Sequence, residues 1–143
     1  MRSYAHPSAS SSGNDFAKLL LRAALAIFLL LHGISKLTGG IGHITGMLSK
    51  AGMPEAFGYL VFIGEVVAPL LLLVGFWTRP AALVIAINMI VAVILAHSTQ
   101  LFTLSKTGGW ALELQGFFFI TAIVVALLGA GRYSIGGANG RWN

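Results

Sequence analysis

Residues 64–88 read GEVVAPLLLLVGFWTRPAALVIAIN, an acid, a turn and an amide set inside otherwise apolar sequence. Val66 to Trp77 carries no charge, Thr78-Arg79-Pro80 breaks the run, and Ala81 to Ile87 begins another. Two helices joined by so short a turn lie antiparallel and adjacent, and apolar runs of this length suit a bilayer. The stretch is therefore read as a membrane hairpin. Glu65 then lies inside the hydrocarbon layer, where a carboxylate costs roughly 2 to 4 kcal/mol unless it is protonated or partnered. The rest of the chain is expected to supply the partners.

Composition agrees with a membrane setting. Of 143 residues, 57% are hydrophobic and 9% charged, well under the roughly 25% charged residues of an average soluble domain. The length accommodates four helices of about 20 residues with short loops and no separate soluble domain. The predicted fold is an all-α antiparallel four-transmembrane-helix bundle. The nine Lys and Arg form no basic run or aromatic-interleaved patch, so nucleic acid is excluded as a partner. With no cysteine, a disulfide scaffold, a CxxC couple and any Cys-ligated cluster are excluded as well.

Residues 1–15 open with MRSYAHPSASSSGN, too polar to bury anything, and are expected to form a disordered cytoplasmic tail. The four-helix domain is expected over residues 16–131, with helices at about 16–37, 55–77, 80–97 and 110–130, and residues 132–143 as a soluble, glycine-rich cytoplasmic tail. Lys18 and Arg22 before an apolar run imitate a secretory signal, but no small-x-small cleavage site follows, so the first helix stays. Arg22 and Lys36 lie on nearly one face of it and reach towards the two headgroup layers. Residues 38–54 contain too many glycines to span. Ile44, Met47, Leu48 and Ala51 share a helical spacing there, which allows a short amphipathic turn on the membrane surface. Gly58, Gly64, Ala68 and Gly75 suit close packing in the second helix, within the bundle or against a second copy. Pro69 frees the carbonyl of Glu65 from its backbone bond and predicts a kink beside the acid.

With four spans, Arg2, Lys18, Arg22, Arg79, Arg132 and Arg141 share one side, against Lys36, Lys50 and Lys106 on the other, which places both tails in the cytoplasm. Each half ends in an apolar run, a Gly and an Arg (Gly75 to Arg79; Gly129 to Arg132), a hint of a repeat. At about 1.5 Å per residue, His32, Lys36, Glu65, His97, Glu113 and Gln115 collect on the outer side. Because lipid offers no hydrogen bonds, these side chains are expected to face one another in an outward-opening polar pocket. Asn88 lies deeper and is assigned to interhelical hydrogen bonding.

Each of these residues also has a plainer reading. Glu65 with Lys36 or His32 can be an ion pair that fixes helix register. Haem ligation by His32 and His97 is disfavoured, since two histidines at bundle ends without an attachment motif read as interfacial groups, and no metal site is expected. His43 is expected in solvent. Arg22 and Arg79 read as inner-leaflet anchors, Trp77, Trp110 and Tyr133 as interface markers, and Phe117 to Phe119 as packing and lipid contacts.

Together, Leu20-Leu21-Arg22, His32-Gly33 with Lys36, Gly64-Glu65 followed by Gly75 and Thr78-Arg79, Asn88-Met89 with His97, and Gly131-Arg132-Tyr133-Ser134 resemble the DoxX family of small four-helix bacterial membrane proteins. The resemblance runs from about Lys18 to Ser134. It implies a multi-pass protein of the bacterial plasma membrane with an oxidoreductase role, through a relationship to the membrane subunit of a thiosulfate:quinone oxidoreductase, and for some members association with redox-stress complexes. Its recurrent polar positions fall on Arg22, His32, Lys36, Glu65, Arg79, His97 and Glu113. The absence of cysteine means that no thiol mechanism carries over.

Three functions are compatible with these residues. In the first, the pocket binds a quinone headgroup or small oxyanion: Lys36, His97 and Gln115 bind it, and Glu65, Glu113 and His32 donate or relay protons. In the second, the protein is a noncatalytic subunit that docks a partner protein of a membrane redox complex through its outer loops. In the third, the pocket belongs to a small-solute or proton pathway, disfavoured because the inner half shows no matching polar route.

Overall fold

With no water in a hydrocarbon layer to satisfy backbone groups, apolar runs of this length fold as helices. A computed structural model describes residues 9–137 and 139–143. The described residues form five helices in chain order and no strand. They are α1 (Ala9–Gly39), α2 (Gly42–Lys50), α3 (Glu55–Val74), α4 (Thr78–Ala96) and α5 (Glu113–Leu128). Three of them, α1, α3 and α4, are long and apolar enough to cross a membrane, and α5 is apolar but shorter at 16 residues. The first helix begins at Ala9 rather than near Phe16. Most of the expected disordered tail, residues 1–8 with Arg2, lies outside the described residues.

α3 is a composite. It starts as a 3-10 turn over Glu55–Leu60, widens to a π turn over Ile63–Val67 and continues as α-helix over Ala68–Val74. The π turn lies where Pro69 was expected to disturb the helix beside Glu65. Pro69 has no N–H for the carbonyl of Glu65, and the N–H of Ala68 reaches back five residues to the carbonyl of Ile63.

Small residues let the helices meet. Ala26 of α1, Ala82 of α4 and Ala122 of α5 are fully buried, and Leu29, Leu72, Ile85 and Val125 fill the space around them. α5 packs along α4 and also touches α1, while α1 packs against α3. Large apolar side chains such as Leu20, Phe28, Leu31, Ile87, Ile94 and Phe117 stay exposed on the outer faces of these helices, as a lipid-facing surface requires.

The two ends of the bundle differ. At the turn end, α3 stops at Gly75, whose φ of 70° is left-handed, and the N–H of Phe76 donates to Leu71 O at 3.0 Å, closing the last turn. The described residues of the segment expected as a soluble tail, 132–137 and 139–143, lie folded across this end. Ile135 N–H donates to Val74 O at 3.1 Å and Gly136 N–H to Gly75 O at 3.0 Å. Asn143 is buried and accepts from Thr78 N–H and Oγ1 at 3.2 and 3.1 Å. At the loop end, α2 lays Leu48 and Thr45 against Gly58. α5 starts at Glu113 rather than near residue 110, because Trp110 pairs with Leu104 in an isolated bridge and its indole N–H donates to Leu101 O at 2.8 Å.

Candidate functional site

Glu65 sits on the π turn of α3, and its side chain is only 6% exposed. Two glycines make its position possible. A Cβ on Gly33 of α1 would lie 2.9 Å from the carbonyl carbon of Glu65 and closer still to its oxygen, and 2.7 Å from Val66 Cγ2. Gly33 therefore brings α1 against the carbonyl that Pro69 leaves without a donor. A Cβ on Gly64 would lie 2.5 Å from Asn88 Cγ, so that glycine makes room for the Asn88 side chain of α4.

Lys36 follows Gly33 by three residues on the same face of α1, and its Nζ donates to Glu65 Oε2 in an ion pair. Asn88 Nδ2 faces Glu65 Oε1 at 3.5 Å, the outer limit of a hydrogen bond. One buried carboxylate thus joins three helices, with an ammonium on one oxygen and an amide on the other. The unit is formally neutral, which is how an acid is kept in an apolar interior. Asn88, assigned away from the outer polar layer, belongs to this unit. The π turn inserts an extra residue in α3 and rotates Glu65 towards α4.

The remaining predicted residues do not join it. His32 is exposed and meets Phe118 edge-on at 5.8 Å between ring centroids. His97 Nδ1 lies 3.2 Å from Gln100 Oε1. Glu113 is exposed and accepts from Trp110 N–H at 3.0 Å at the start of α5. His43 is exposed in α2. Gln115 is half-buried in a groove between α4 and α5, about 300 Å³ in volume, whose walls include Met89, Val93, Leu101, Trp110 and Phe119. Among the described residues no three His, Cys, Asp or Glu side chains are grouped to hold a metal ion.

At the turn end the two arginines do the same job in each half. Arg22 of α1, 1% exposed, donates through Nη1 to Leu72 O at 2.5 Å and Leu73 O at 2.9 Å, and through Nη2 to Tyr133 O. Its Nε has no partner among the described residues. Arg79 of α4 donates through Nη1 to Ala126 O at 2.8 Å and Leu127 O at 3.0 Å, and through Nε to Asn143 O at 3.0 Å. Each guanidinium thus caps the last carbonyls of the next long helix, just before a glycine of positive φ, Gly75 in one half and Gly129 in the other. The sequence reading of both arginines as lipid anchors misses this capping role. The run-Gly-Arg pattern marks where each capped helix stops but not its cap, since α3 is capped by Arg22 and α5 by Arg79, each from an earlier helix, while Arg132 pairs with Asp15.

Comparison with curated proteins and with solved structures gave no match. The DoxX family model matches residues 17–98, more than half of the chain and the part that carries Arg22, Gly33, Lys36, Gly64, Glu65, Arg79 and Asn88. With its apolar spanning helices and this match, the chain is an integral membrane protein and belongs to the DoxX family.

Proposed function

We propose that this protein is the membrane subunit of a quinone-linked redox assembly, and that the quinone headgroup enters the groove between α4 and α5. The observation that carries the reading is the groove itself: its walls are almost wholly apolar and aromatic, and Gln115 is the one amide side chain among the lining residues. In this reading Lys36, Glu65 and Asn88 hold the helices in register, and His97 and Glu113 serve the loop between α4 and α5 through Gln100 and Trp110. α5 is taken as the fourth span of an antiparallel bundle, its 16 residues rising about 24 Å. The excess of Lys and Arg at the turn end favours a cytoplasmic position for both tails in a bacterial plasma membrane. The test is protein extracted gently from its own membrane and assayed for bound quinone by mass spectrometry. Quinone retained by the wild type and lost on Gln115→Leu, with Glu65→Gln changing stability more than occupancy, supports the proposal.

A second reading, a noncatalytic subunit that docks a partner, is favoured by the ordered loop before α5. Phe102 is 94% exposed and Leu104 73% exposed on a loop held by the Leu104–Trp110 bridge. Recovery of a stoichiometric polypeptide without quinone, abolished by Phe102→Ser, would move the assignment there.

A further inference from the structure

The turn end holds a second cleft, about 150 Å³, between Phe76 and Trp77 of the α3–α4 turn and Arg141 and Trp142 of the folded-back segment. Trp77 has φ 50°, the one left-handed non-glycine among the described residues, a conformation that a bulky residue adopts only under constraint. Its ring stacks on Phe76 with centroids 5.9 Å apart and planes 14° from parallel. The facing wall is fixed rather than loose. Arg79 N–H donates to Trp142 O at 3.1 Å, and Asn143 Nδ2 donates to Gly75 O at 3.0 Å. At the rim, the Arg141 guanidinium lies 5.3 Å from the centre of the Trp142 ring.

Charge balance leaves that guanidinium without an acidic side chain. The chain has four acids: Asp15 bonds Arg132, Glu65 bonds Lys36, and Glu55 and Glu113 belong to the other end of the bundle. A cation backed by tryptophans, at the level where two spans meet the interface, is complementary to a phosphate group set at the headgroup layer.

We propose that this cleft binds the headgroup of an anionic phospholipid, with Arg141 pairing to the phosphate and Trp77 and Trp142 flanking the glycerol region. The site is independent of the quinone reading, lying at the opposite end of the bundle. The test uses the full chain in mild detergent, titrated with phosphatidylglycerol or phosphatidylcholine and read by native mass spectrometry and thermal unfolding. The wild type is expected to retain phosphatidylglycerol in preference and to melt higher with it. Arg141→Gln is expected to lower that retention about fivefold. Trp77→Gly keeps the left-handed backbone accessible, so it is expected to melt normally without lipid yet lose most of the lipid-dependent increase. Equal retention of the two lipids, or unchanged preference in Arg141→Gln, overturns the proposal. So does inorganic phosphate that displaces the lipid and raises the melting temperature as much, because the site would then serve a free anion.

Discussion

At the scale of single residues, Glu65 is worth more as a partnered group than as an acid. Lys36→Met leaves a buried carboxylate facing an apolar side chain and is expected to destabilise the bundle by about 3 to 5 kcal/mol. Replacing both, Lys36→Met with Glu65→Met, is expected to recover most of that loss, because the uncompensated charge disappears with the pair. Thermal unfolding of the purified proteins in one detergent compares them; a double variant as unstable as the single one would mean that the pair does more than neutralise Glu65. The need for a partner, and Lys36 as a candidate, were both legible in the sequence, since an acid inside an apolar run has few cations within reach. Interhelical hydrogen bonding by Asn88 was legible too, but Glu65 as its partner was not. Helical spacing assumes 3.6 residues per turn throughout, and the π turn at Ile63–Val67 breaks that assumption just where Glu65 sits.

At the scale of elements, the glycines set the distances between helices. Gly64→Ala places a methyl against the Asn88 side chain, 2.6 Å from its Cβ and 2.5 Å from its Cγ, and is expected to destabilise the α3–α4 contact, whereas the same change with Asn88→Gly removes the atoms it would meet. The double-mutant cycle should give a coupling on the order of 0.5 to 3 kcal/mol; strict additivity would show that the clash is relieved elsewhere. Span positions could be read from hydropathy for α1, α3 and α4. The start of α5 was harder, because Trp110 looks like a helix-end aromatic and instead closes the preceding loop through Leu104 and Leu101.

At the scale of the whole molecule, two arginine caps and the folded-back segment fasten the turn end, while the Lys36–Glu65 pair secures the half nearer the loops. Arg79→Leu frees the last carbonyls of α5 and is expected to raise amide exchange in Val125 to Leu128 and around Asn143 while leaving α1 protected; hydrogen exchange of the reconstituted protein reads this directly. Sidedness is equally accessible, since the chain has no cysteine. Thr107→Cys should react with an impermeant maleimide in intact cells, and Ile135→Cys, at an exposed position, only after lysis; the reverse pattern would invert the orientation. The folding-back of residues 132–137 and 139–143 was not legible. Its bonds run largely to main-chain carbonyls, which every residue possesses, and its glycines read as a linker.

Arg22 also imposes an order of events during synthesis. Its acceptors on α3 lie 50 and 51 residues further along the chain, and Tyr133 lies 111 residues further. At ribosomal speeds the first gap alone is roughly 3 to 10 s, during which the guanidinium has no carbonyl to bind. Until α3 arrives, that charge has none of the carbonyls it caps in the finished bundle, so α1 is made before the partners that fix its turn end. Degradation of stalled or truncated chains that lack α3 would follow from the same geometry, because a lone α1 presents an unsatisfied cation to whatever surveys the membrane.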